Sequence, residues 1–229
     1  MTEMIFVHIP KTAGTSFRTA LCHGFAENNV SPAFAASAIT ESDRARLAAY
    51  RVVSGHISMA DVRLHFPQAR VLTILRDPID RCLSWYYYAR QLAGISDPEV
   101  LAAQTHHVDA FFEIDRRIIF RNIFNRQVRQ LGDHVLNTEV DLDAALERAK
   151  QALATAAWVG RQERIGSDLA RLWTVVPEMA GIPLCAENVT HQRGSVSDLD
   201  NALIQKIADW NRYDLELYAY VATLSEAGC

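Results

Sequence analysis

Lys11, Gly14 and three hydroxyl residues, Thr12, Thr15 and Ser16, stand together in the stretch HIPKTAGTS, between an apolar run and a segment of helical spacing. These residue types in this order suit an anion. Gly14 lets a ligand approach the backbone closely, and the amides of residues 12–16, Ala13 included, open a helix N-terminus with its partial positive charge. Lys11 adds a full charge and the hydroxyls add donors. The plainer alternative is a capped strand–helix turn with a solvated lysine. A Walker A loop is a poor match, because that motif places its lysine after the last glycine, on the helix. Here Lys11 precedes Gly14, at the strand end and near the terminal group of a bound nucleotide.

A second group follows in LRDPIDRCLS, where Arg76 and Ser84 lie eight residues apart. A guanidinium and a hydroxyl two helical turns on make a phosphate clamp. Two alternatives stay open: Arg76 pairs with Asp77 or Asp80 to cap the helix, or VLTILRD is a Walker B strand with Asp77 on magnesium. His56 ends RVVSGH, so it projects toward the same sheet edge, where an imidazole is suited to accept a proton at neutral pH. His8 reads as a core or near-site residue. His23, His65, His134, His106 and His107 show no metal-ligand spacing, so no metal site is expected. Should His56 not be the base, Asp61, His191 and Glu163 are the next candidates. The basic residues Arg117, Arg121 and Arg129 read as a solvated helix face, and the run WYYY at 85–88 reads as core that also lines a cleft.

Elements must bring these groups together. Apolar runs predict strands over 4–9, 51–56, 69–76 and 157–160, the third apolar enough to be covered on both faces. Helices are expected over 15–25, 42–50, from Pro78, over 107–131, 141–155, 166–181 and about 197–224. This alternation implies a three-layer α/β fold with a mainly parallel sheet and helices on both faces. On such a sheet ligands sit at the carboxyl ends of the strands, where HIPKTAGTS, Arg76 and His56 all fall.

The 229 residues, 49% hydrophobic, suffice for one substantial core, and a single domain over 1–229 is expected. A net charge of −4 argues against nucleic-acid binding, so an anion site must be local. Four scattered cysteines suggest reduced thiols. With no signal-like N-terminus and no apolar run of about 20 residues, a cytoplasmic protein without a transmembrane segment is expected.

FVHIPKTAGTSF followed by VLTILRDPIDRCLSWYYY resembles the sulfotransferases that use 3′-phosphoadenosine 5′-phosphosulfate (PAPS), in particular the branch of the heparan sulfate 2-O- and 6-O-sulfotransferases and small bacterial enzymes. GH at 55–56, NRQVRQL, WVGRQER and DLELYAY extend the likeness over nearly the whole chain. The resemblance implies a P-loop NTPase-like fold with the first motif on the 5′-phosphosulfate. It further implies Arg76 and Ser84 on the 3′-phosphate, His56 as the base, and adenosine 3′,5′-bisphosphate (PAP) as product. Arg193 and Gly194 would then fold over the 3′-phosphate or adenine, or else belong to a solvated loop. The acceptor would carry a hydroxyl, on a saccharide, a lipid headgroup or a small alcohol. A magnesium-dependent kinase, a non-catalytic nucleotide-binding protein and transfer to an amine are the alternatives.

Overall fold

The computed structural model describes residues 2–35, 38–132, 140–184 and 193–227. Its centre is a four-stranded parallel sheet. In chain order the elements are β1 (Met4–Val7), α1 (Gly14–Phe25), α2 (Glu41–Leu47), β2 (Val52–Gly55), α3 (Met59–His65), β3 (Arg70–Leu75), α4 (Pro78–Ala89), α5 (Pro98–Thr105), α6 (Val108–Phe111), α7 (Arg116–Ile123), α8 (Arg126–Gly132), α9 (Leu142–Thr155), β4 (Trp158–Arg161), α10 (Ile165–Val175), α11 (Asn201–Trp210) and α12 (Arg212–Ala227). The strand order is β2-β1-β3-β4. Val7 lies opposite Gly55 and Thr73, and Leu75 opposite Arg161, so the carboxyl ends of all four strands share one edge.

Side chains alternate across this sheet as a strand's two-residue period requires. Ile5, Val7, Val53, Leu75 and Val159 pack under α3, α8, α9 and α12. Met4, Phe6, Val52, Leu72, Ile74 and Trp158 pack under α1 and α10. Burial on both faces accounts for the mostly apolar character of these short strands, which carry Ser54, Thr73 and Arg161 as buried exceptions. A third apolar cluster, holding Leu83, Phe111, Phe112, Ile119, Ile123 and Ile207, joins α4–α7 to α11.

Three expected helices are divided, the one over 166–181 ending as α10 at Val175 ahead of a 3-10 turn at Pro177–Met179. The segment 107–131 forms α6, α7 and α8, and the C-terminal helix breaks between α11 and α12. The break ahead of α8 and the one between α11 and α12 meet. Asn125, at φ 42°, donates its backbone N–H to Asn211 Oδ1 at 3.0 Å and its side-chain amide to the Trp210 carbonyl at 2.8 Å. Its Oδ1 takes the N–H groups of Tyr213 and Asp214, both at 3.1 Å. One asparagine thus caps α12 while interrupting the chain ahead of α8. The break turns α8 inward, which corrects the expectation of a solvated basic face. Arg117 remains exposed, whereas Arg126 and Arg129 are buried. Asp214 completes the joint by accepting the N–H groups of Gln127 and Val128 at 3.0 and 2.7 Å. Its carboxylate caps the start of α8.

Candidate active site

The β1–α1 turn carries two left-handed residues that are not glycine, Lys11 at φ 70° and Ala13 at φ 65°. Such conformations cost on the order of 1–3 kcal/mol each and concentrate at ligand clamps. Thr12 is fully buried, and its hydroxyl donates to the Ile9 carbonyl at 2.9 Å. Its side chain therefore shapes the turn, and its backbone N–H is what it can offer an anion. Ala13 caps α1 without a side-chain acceptor, so the first amides of that helix receive no side-chain cap from it. Thr15 is exposed and Ser16 buried in this first turn. Gly14 is fixed by packing: a Cβ there would lie 1.9 Å from the His8 ring.

The His8 ring stacks on Phe6 at 5.6 Å and tilts against His56 at 4.5 Å between centroids. Burial, then the charges of His56, Lys11 and Arg126, hold its pKa down to about 3, so it stays neutral. His56 follows β2 directly. A Cβ on Gly55 would meet the Phe34 carbonyl oxygen at 2.1 Å, and His56 N–H donates to that same oxygen at 2.8 Å. The His56 Nδ1 lies 2.7 Å from the His8 carbonyl oxygen. A carbonyl only accepts, so Nδ1 carries the proton and Nε2 carries the lone pair. Burial depresses the His56 pKa, against the pull of the His8 hydrogen bond, and Arg126 adds to the depression. The neutral imidazole that a base requires is the favoured form.

A chain of amides supports this pair. Gln130 Nε2 donates to the carbonyls of His8 and Ile57 at 3.0 and 3.1 Å, while its Oε1 accepts from Arg126 Nε at 3.2 Å. Gln127 holds the Arg76 backbone in both directions, accepting its N–H at 3.1 Å and donating to its carbonyl at 2.9 Å. Replacing Gln130 with leucine leaves the Arg126 guanidinium and a buried carbonyl short of partners. Unfolding free energy should fall by about 1–3 kcal/mol, measured in urea. A change below roughly 0.5 kcal/mol would mean that the glutamine does not hold the strand ends.

Arg76 extends from the end of β3. Its Nη1 donates to the Lys11 carbonyl at 3.0 Å, and its Nε and Nη2 donate to Asp80 at 2.9 and 2.5 Å. The pairing with Asp80, one of the two sequence alternatives for Arg76, is therefore present. Asp77 is the α4 N-cap: its Oδ1 accepts the Asp80 N–H at 2.9 Å, and its own N–H donates to Glu163 at 2.8 Å. Burial raises the Asp77 pKa. Arg193 also pairs with Asp80, and a Cβ on Gly194 would come within 2.6 Å of the Tyr87 hydroxyl oxygen. The segment at 193–194 thus lies against α4. Ser84 is buried, one turn beyond Asp80.

Lys11 faces this group. Its Nζ lies 3.9 Å from the centroid of the Tyr88 ring, a cation–π contact. Burial, with Arg76 and Arg193 adding repulsion, brings its pKa down to about 8. The structure therefore brings Lys11, Arg76 and Arg193 into one electrostatic field at the strand ends, with His56 on the other side of the β1 terminus. Of the reserve bases, Asp61 is buried in the capping of α3, taking the Ser58 hydroxyl at 2.6 Å and the Ile39 N–H at 3.3 Å. Glu163 accepts from the Tyr218 hydroxyl at 2.6 Å as well as from Asp77. His191 lies outside the described residues. Among the described residues no cluster of three or more His, Cys, Asp or Glu could hold a metal. The sequence reading missed Gln127, Gln130 and Arg126 as site supports; their one signal was the NRQVRQL stretch.

No curated protein matches the sequence. Among solved structures, the chain is similar to mouse sulfotransferase SULT7A1 complexed with PAP, with a TM-score of 0.48 and 16% identity. The match covers 94% of this chain and 65% of that one, so this chain spans under two thirds of its length. The model of the sulfotransferase family matches residues 2–221, nearly the whole sequence, and the chain accordingly belongs to the sulfotransferase family.

Proposed function

We propose that the protein transfers a sulfuryl group from PAPS to an acceptor hydroxyl, with His56 as the base. The observation that carries this reading is the convergence at one sheet edge of three cations with a neutral imidazole whose Nε2 lone pair is left available by its Nδ1 bond to His8. The residues fit the donor nucleotide. Lys11 and the amides of 12–16 suit the 5′-phosphosulfate, and Gly14 leaves the turn open where a side chain would collide with His8. Arg76, Arg193 and Ser84 supply a fork, a second guanidinium and a hydroxyl for the 3′-phosphate, with Gly194 beside them.

When bound, PAPS supplies a sulfur activated by a phosphate leaving group. His56 Nε2 takes the acceptor proton as the acceptor oxygen bonds to sulfur in line, and the bond from sulfur to the 5′-phosphate oxygen breaks to leave PAP. Lys11 stabilises the charge that gathers on that oxygen. A saccharide, a lipid headgroup and a small alcohol all present the necessary hydroxyl. Among the described residues no helix is long and apolar enough to cross a membrane. Cys22 and Cys82 are free thiols, which accords with a cytoplasmic setting.

The test is to incubate the protein with PAPS and a panel of alcohols, saccharides, lipid headgroups and amines, and to follow PAP release. Release should depend on a hydroxyl acceptor. Release with amines alone would move the reaction to nitrogen, and no release with any acceptor would favour a nucleotide-binding protein without catalysis.

A further inference from the structure

Asp80 holds a position that the proposed reaction does not use. It lies four residues after Arg76, in the first turn of α4, and one helical turn before Ser84. Its two oxygens are divided: Oδ2 accepts from Arg76 Nε and Nη2, and Oδ1 accepts from Arg193. Arg76 comes from the end of β3, while Arg193 comes from a segment 113 residues from Asp80 in sequence. Two guanidiniums with Lys11 nearby repel one another, and one carboxylate between them offsets that repulsion. Three of the five Arg76 N–H groups are used by Asp80 and the Lys11 carbonyl. Among the described residues one N–H remains on each terminal nitrogen, so the guanidinium keeps donors for a phosphate.

We infer that Asp80 is a positioning residue that sets the preference for a 3′-phosphorylated nucleotide, by holding the Arg76 and Arg193 guanidiniums in one convergent pair. This rests on the assignment of those arginines to the 3′-phosphate made above. The carboxylate acts before the ligand arrives. It fixes two long side chains whose ordering the ligand would otherwise have to impose, and ordering such side chains opposes binding. Asp77 and Glu163 are the other carboxylates bearing on Arg76 or its cap, and neither bridges to Arg193. The expected effect is selective, because the 5′ end of the nucleotide meets the β1–α1 turn and not Asp80.

The experiment titrates wild type, Asp80→Asn and Asp80→Glu with PAP and with 5′-AMP by calorimetry, each variant first checked for a cooperative thermal transition. In Asp80→Asn, PAP affinity should fall about 10-fold or more while 5′-AMP affinity stays within about threefold, so the ratio between them collapses. Asp80→Glu keeps the charge one methylene further out and should give an intermediate ratio, which still reads the effect if the asparagine variant does not fold. An unchanged ratio, or equal weakening of both ligands, overturns the inference in favour of a general structural role. A raised ratio also overturns it, since the carboxylate would then be competing with the phosphate. If wild type itself shows no preference for PAP, the 3′-phosphate assignment fails and this inference falls with it.

Discussion

Replacing His56 by alanine should lower turnover by about 10²- to 10⁴-fold while leaving PAP affinity nearly unchanged. In the proposed mechanism the imidazole serves the acceptor proton and contacts the cofactor nowhere, so its loss should appear in the chemical step; its ring is tied to the His8 carbonyl. Glutamine should fail almost as badly, since it can form a hydrogen bond but cannot take the proton. The pH profile gives an independent check. Burial and Arg126 hold the group below the ordinary histidine value of 6.5, so kcat/KM should rise with pH through a midpoint below that value. A folded His56→Ala protein with near-normal turnover would place the base elsewhere.

Lys11→Ala should cost about 10²- to 10³-fold in turnover, the range for removing one preorganised charge stabiliser. It should also change how binding depends on pH. A buried lysine with a pKa of about 8 is protonated below that pH and neutral above it. Anion binding favours the charged form, so PAP affinity should be flat below about pH 8 and fall above it, by up to about tenfold per pH unit. An ordinary lysine would show no such fall until beyond about pH 10. Calorimetric titration from about pH 7 to about pH 9.5 should give this slope in wild type and none in Lys11→Ala. A slope that persists without Lys11 would assign the titration to another group.

The parts of this site that were legible in the sequence are those set by local chemistry. The four strands are short, mostly apolar runs, and the turn between Val7 and Gly14 announced itself by a lysine, small residues and a glycine. Pro78 after Asp77 marked the start of α4, with the cap and first-turn proline in place. What was not legible depends on partners distant in sequence. Asn125 reads as a tolerable residue within an amphipathic helix, and so does Asn211. Only their meeting across 86 positions turns each into a break. Arg129 looks like a solvent-facing cation until that break turns α8 toward the sheet, burying it together with Arg126. Gln127 and Gln130 carry no charge, and their only sequence signal is the NRQVRQL stretch, yet they hold the Arg76 backbone and the carbonyls of His8, the partner of His56, and Ile57. Arg76 could be assigned equally to a phosphate or to a carboxylate, and the geometry explains why both readings arose, since Asp80 and the two remaining donors sit on one guanidinium.

The most direct measurement is titration of the wild-type protein with PAP, 5′-AMP and ATP, each with and without magnesium. The account predicts metal-independent PAP binding, with 5′-AMP weaker by about 1.5–3 kcal/mol for the lost charge-assisted contacts to the 3′-phosphate. Equal affinity for PAP and 5′-AMP, or tight binding of ATP that requires magnesium, would contradict it.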